Sequence, residues 1–184
     1  MEIAIALAVV AGFSLLMYNS MISKKNEVEN AFGGMDVQLG KRYDLIPNLI
    51  ATVKNYMAHE KDVLENVTRL RAQAVSGKLS TDEMVDLDNK ISTAVRGIMV
   101  SCESYPDLKS NTNFIQLQST FVEVESQISA ARRAYNAAVT SYNNGVEMFP
   151  TSIFAKMLGL KRKQVFEIPE YQRQNVSAKD LFAA

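Results

Sequence analysis

A chain of 184 residues is long enough for one domain with a real core plus an anchor, and short for two soluble domains. Twenty basic residues balance twenty acidic ones, so the basic footprint of a nucleic-acid binder is missing and no nucleic-acid partner is expected. The single cysteine, Cys102, excludes an intrachain disulfide, and only four prolines and eight glycines break the chain, which points to an all-α fold.

The first element is Ile3 to Ile22, IAIALAVVAGFSLLMYNSMI, an uncharged run. At about 1.5 Å per residue it covers the roughly 30 Å hydrocarbon core of a bilayer. A cleaved signal peptide would carry a basic leader, whereas Glu2 is the only charged side chain before the run, so residues 1–23 read as a retained transmembrane anchor. Lys24 and Lys25 follow directly, and the positive-inside bias then puts the N-terminus outside and the rest of the chain in the cytoplasm. Ala4, Ala8 and Gly12 recur every four residues as a small-residue stripe, a candidate face for packing and self-association in the membrane. Chance spacing in an alanine-rich span is the plainer reading.

Residues 24–150 read as a helical bundle. Val28, Phe32, Met35, Leu39, Tyr43 and Ile46 fall at helical spacing, so the first soluble helix continues straight out of the membrane. Gly33 and Gly34 inside it suggest close packing of another backbone. The helix is expected to end near Tyr43, with Asp44 capping a new helix and Pro47 in its first turn. That second helix carries Leu49 through Leu70 to a stop at Gly77. A third begins at the Ser80-Thr81-Asp82-Glu83 cap and runs toward Tyr105-Pro106.

The clearest periodicity comes last. Phe114, Leu117, Phe121, Val124, Ile128, Ala131, Tyr135, Ala138, Tyr142, Gly145 and Phe149 alternate three and four apart, a coiled-coil-like a/d seam. A helix of that length should overhang its shorter neighbours and leave part of the seam for another subunit. Sequential helices joined by short turns give an up-and-down antiparallel bundle whose last helix ends on the membrane side. In 151–184, a short amphipathic helix and a tail, Ile153, Phe154, Met157, Leu158 and Leu160 mix with Lys156, Lys161, Arg162 and Lys163, a candidate membrane surface. The alternative is that these apolar residues only close the open end of the bundle.

Catalytic signals fail on inspection. His59-Glu60 opens like a zinc-protease motif, but Val63 stands four residues after His59 and the chain has no second histidine. No local signature joins Cys102 to His59, and no glycine loop suits a phosphate, so neither enzyme activity nor a cofactor nor a metal is expected. Asp36, Arg42, Asp44, Lys54, His59 and Glu60 gather charge near the first helices; with Arg132 and Arg133 they read as a structural polar network, with a partner site as the other reading. Glu60, in an apolar stripe, should find Lys54, Arg132 or Arg133. Tyr135-Asn136 and Tyr142-Asn143 repeat seven residues apart, and such rings are more often core than a ligand box.

The run Met35-Asp36-Val37-Gln38-Leu39 through Arg42-Tyr43-Asp44-Leu45-Ile46-Pro47-Asn48-Leu49, followed by Val53-Lys54, Tyr56 and His59-Glu60, closely resembles the LemA family. Tyr105-Pro106-Asp107-Leu108, Leu117-Gln118, Glu125, Arg132-Arg133-Ala134-Tyr135-Asn136, Tyr142-Asn143 and Phe149-Pro150 resemble its second block. The chain departs from the family pattern at Phe32-Gly33-Gly34, where a tryptophan and bulkier neighbours are usual. The resemblance implies a single-pass protein of the bacterial cytoplasmic (inner) membrane with a cytoplasmic bundle, in a family associated with membrane proteases and envelope quality control. Two functions are expected: the overhanging seam and the Ala4-Ala8-Gly12 stripe favour a self-assembling, non-catalytic scaffold (a homo-oligomer on the lipid bilayer), while the resemblance, with the polar cluster around Arg42 and Glu60, suits an adaptor delivering clients to a membrane protease.

Overall fold

The computed structural model describes residues 1–57, 59–77 and 79–166. Among them the chain is helical without a strand: α1 Glu2–Val53, α2 Lys61–Ala74, α3 Thr81–Ser101, a 3-10 turn Cys102–Ser104, α4 Pro106–Lys109, α5 Thr112–Glu147 and α6 Thr151–Met157. The tail expected over 167–184 lies outside the described residues.

α1 is one helix of 52 residues, and the break expected at Tyr43–Asp44 is absent. An interior proline removes one amide hydrogen and crowds the carbonyl four residues back, which normally ends a helix. Here that carbonyl belongs to Tyr43, and Arg71 Nε of α2 donates to it at 2.8 Å. A side chain from another helix thus takes the place of the bond Pro47 cannot make, and the helix continues to Val53.

α5 lies antiparallel along α1, the most extensive pairing among the described residues. Gly145 sits against Met21, Lys24 Nζ donates to Ser141 Oγ at 2.7 Å, the Phe32 and Tyr135 rings meet at 6.0 Å, and Arg42 Nη1 reaches Glu125 at 3.3 Å. The seam of α5 is therefore largely buried inside the chain: Phe114, Phe121, Val124, Ile128, Tyr135, Ala138, Tyr142 and Gly145 are covered. No overhang is left, because α1 is longer than the sequence reading allowed. Gly33 and Gly34 are exposed with open space around them, so they do not serve close packing. Gly145 does: an added Cβ would meet Met21 Sδ at 2.9 Å and Lys24 Cδ at 3.1 Å.

α2 and α3 form a hairpin turned at Gly77, whose φ of +69° is a left-handed conformation that glycine adopts without strain. The Ser80 hydroxyl accepts from the Glu83 amide, while the Glu83 carboxylate accepts from Ser80, so the expected capping box starts α3. The hairpin turn sits beside Asp36, Gly40 and Tyr43 of α1, about 22 to 33 Å along the helix from Met21. Burial on α1 changes abruptly: Leu16 is 66% exposed and Met21 is 0% exposed. The bundle begins where the charge-free run ends. In water the bare Ile3–Leu16 surface would forfeit on the order of 10 kcal/mol of apolar burial, so a bilayer is its natural solvent.

Candidate functional site

Two sites stand out, one in the middle of the bundle and one at its membrane end.

In the middle, Arg42 (1% exposed) and Asp88 (0% exposed) are the largest buried electrostatic commitment of the chain's described residues. Arg42 Nη2 pairs with Asp88 Oδ1, while Nη1 donates to Ser92 Oγ at 2.7 Å and to Glu125 at 3.3 Å. Arg132 of α5 pairs with the other carboxylate oxygen of Asp88. One carboxylate therefore holds two guanidinium groups, and α1, α3 and α5 are fixed in register at a single point. Burial pushes Arg42 below its usual value, with the Glu125 carboxylate working against that shift. Glu125 is half exposed, so its share is screened by water.

The residues expected to form this network divide sharply. Arg42 and Arg132 are in it. Asp36, Asp44, Lys54, His59 and Arg133 are exposed and outside it, and Glu60 is half-buried at the start of α2 without an ion pair among the described residues. The reason is the length of α1. By running on to Val53 it carries Lys54, His59 and Glu60 to the far end of the bundle, about 30 Å from the level of Arg132. Asp88, Ser92 and Glu125 were missed by the sequence reading. Asp88 follows Leu87 at the edge of an apolar stripe, and an acid there was the available signal.

At the membrane end the chain doubles back after α6 and lies extended along α5. The Asn143 amide nitrogen donates to the Lys163 carbonyl at 2.9 Å and its oxygen accepts from the Lys163 amide at 2.9 Å. Asn136 repeats the same pair of bonds with Phe166, both at 2.8 Å. Seven residues of helix and three of extended chain both rise about 10 Å, so the spacing of the Tyr-Asn repeat matches the strap it holds. Tyr142 donates to the Lys161 carbonyl at 3.0 Å, and the Tyr135 and Phe166 rings meet edge to face at 5.3 Å. The repeat is thus a backbone clamp with its aromatic rings in the core. Lys161, Arg162 and Lys163 are held beside α5, with Lys163 over the Tyr142 ring at 6.0 Å and Arg162 on Glu147 at 3.0 Å. Lys156 is exposed on α6.

The remaining residues singled out from the sequence are simply placed. Ala4, Ala8 and Gly12 lie on the exposed part of α1. Cys102 is buried with its thiol 3.6 Å from Met57 Sδ, and burial raises it to about 11. His59 is exposed. Among the described residues no three His, Cys, Asp or Glu side chains converge as a metal site would need.

Known proteins resemble this chain along most of its length. Protein LemA of Metamycoplasma hominis is 24% identical over 163 residues, which cover 89% of this chain and 74% of that protein. Magnetosome protein MamQ 2 of Paramagnetospirillum magneticum is 24% identical over 178 residues, and magnetosome protein MamQ of Magnetospirillum gryphiswaldense is 22% identical over 177. In both cases 83% of this chain matches and it spans 65% of the relative, slightly under two thirds. The relatives' names carry no enzymatic activity. The LemA family model matches residues 31–179, from the middle of α1 past the strap, and with the apolar exposed start of α1 it makes this chain a membrane-associated member of the LemA family.

Proposed function

We propose that the chain is a self-assembling, non-catalytic scaffold of the bacterial inner membrane, anchored by α1 with its N-terminus outside and its bundle in the cytoplasm. The observation that carries this reading is an uncovered apolar strip beside the buried seam. Ile115 and Val122 on α5 are 52% and 66% exposed, and Val122 borders a groove of about 350 Å³ between α3 and α5 lined by Val95, Met99 and Phe121 and by the polar Ser92, Arg96, Gln118 and Glu125. Exposed apolar side chains beside a groove with a polar rim suit a contact surface. A second copy is the occupant favoured here, because the exposed Ala4-Ala8-Gly12 stripe of α1 offers a matching contact within the membrane. Lys24 and Lys25 at the end of the span support the orientation.

The test is the particle mass of the full chain in mild detergent and in native-like lipid. A large homomeric particle that shrinks on Val122→Lys supports the scaffold. A monomer at every concentration in lipid contradicts it. A stoichiometric heteromer instead favours the adaptor for a membrane protease, with the same groove receiving the partner.

A further inference from the structure

The turn between α5 and α6 is an apolar tip with positive charge above it. Phe149 is 81% exposed, Met157 78% and Ile153 50%, and Met148 is exposed beside them, whereas Phe154 and Leu160 are half-buried and Ala155 is buried. The apolar residues of this segment therefore fall into two sets. One closes the bundle, and the other is exposed among the described residues.

The register of α5 on α1 fixes the height of this tip. Gly145 meets Met21, and successive pairs toward Arg42 and Glu125 follow the same antiparallel register. In that register α5 ends, at Glu147, level with Asn19 and Ser20, about 3–5 Å inside the end of the Ile3–Ile22 run, and the turn follows from there. α6 then packs back on α1. At that depth a bilayer's headgroups give way to acyl chains. No acid occurs between Glu147 and Glu167, while Lys156, Lys161, Arg162 and Lys163 do. The Tyr142 and Asn143 bonds to the strap backbone hold Lys161 to Lys163 near the level of Lys24.

We infer that the α5–α6 turn lies in the membrane interface at the Lys24 end of the anchor. Phe149, Ile153 and Met157 enter the acyl boundary, and Lys156 and Lys161, with Arg162 and Lys163 behind them, meet anionic lipid headgroups. The occupant is a lipid surface and not a protein because the tip is continuous with the segment that spans the bilayer, and because its apolar and basic residues are layered in the order in which an interface presents acyl chain and phosphate. The bundle thus has two membrane contacts, the anchor and this foot, and a foot fixes its tilt and rotation as one helix cannot.

The chain contains no tryptophan, so a single one is a clean depth reporter. Phe149→Trp at the exposed tip is compared with Lys54→Trp at the far end of the bundle, each in the full chain reconstituted into vesicles with or without phosphatidylglycerol. Some vesicles carry lipids brominated high or low on the acyl chain. The expected result is blue-shifted emission from position 149 and quenching about twofold or more above position 54, strongest with shallow bromines. Quenching should also rise with phosphatidylglycerol, and Lys156→Gln with Lys161→Gln should remove that rise. Ile153→Trp repeats the measurement if the first reporter disturbs the turn. Emission from 149 and 153 indistinguishable from that of 54, or quenching indifferent to anionic lipid and to the two lysines, overturns the inference.

Discussion

Asp88 is a carboxylate with two guanidinium partners and no exposure of its own, so removing it leaves the buried Arg42 with only the half-exposed Glu125 carboxylate opposite its charge. Breaking a buried pair from one side typically costs about 3–5 kcal/mol, more than replacing both partners by apolar groups. Asp88→Ala should therefore lower the denaturation midpoint of the full chain in detergent far more than Arg42→Met combined with Asp88→Leu. The double variant leaves Arg132, which is 21% exposed and can reach water. Equal losses would mean that the cluster contributes packing and not charge. Cys102 gives a second test at this scale. Its thiol is raised from 9.0 to about 11 by burial, the neighbouring Glu103 carboxylate adding to the shift. The neutral form is favoured in the folded state, so the stability this contributes is intact below the unfolded value near 9 and is lost as pH rises toward 11. Maleimide labelling at pH about 8 should be at least about tenfold slower in the native chain than in denaturant. Rapid native labelling at neutral pH contradicts the burial.

At the scale of elements, the continuity of α1 rests on an exchange between Pro47 and Arg71. Arg71→Ala strips the Tyr43 carbonyl of its donor and should cost about 1–3 kcal/mol. In a Pro47→Ala background residue 47 regains an amide hydrogen for that carbonyl, and the same change should cost about 1 kcal/mol less. A double-mutant cycle by denaturation measures the difference, and additivity within error would refute the exchange. This also explains what the sequence reading could see. The capping box at Ser80–Glu83, the apolar stripes and the seam of α5 are local patterns, and they appear in the structure close to where they were read. Pro47 signals a helix start locally because its cost is local, while its compensation, Arg71, comes from 24 residues further along the chain. The same limit hid the function of the Tyr-Asn repeat: its spacing was visible, but the strap that it holds returns from beyond α6.

For the whole molecule, one misplaced boundary changed the account of the polar network and of assembly together. With α1 broken at Tyr43, Lys54 to Glu60 would lie near Arg132 and α5 would overhang; with α1 intact, both expectations fall and Asp88 takes the place of the acids expected there. Arg42 and Arg132 were legible as charges in a helical frame. Their common partner was not, because α3 reaches them only through the hairpin with α2. The central claim is that one unbroken helix carries the chain from the bilayer into the bundle and serves as the spine on which α5, the hairpin and the strap are laid. Spin labels at Asn26 and Ala51, both exposed on α1, test it most directly by pulsed dipolar spectroscopy of the full chain in lipid. The account predicts one narrow distance near about 38 Å, the rise of a straight helix between the two sites. A peak near about 14 Å, the value for a chain that turns back at Tyr43–Asp44, or a broad distribution reaching below about 30 Å, would contradict it.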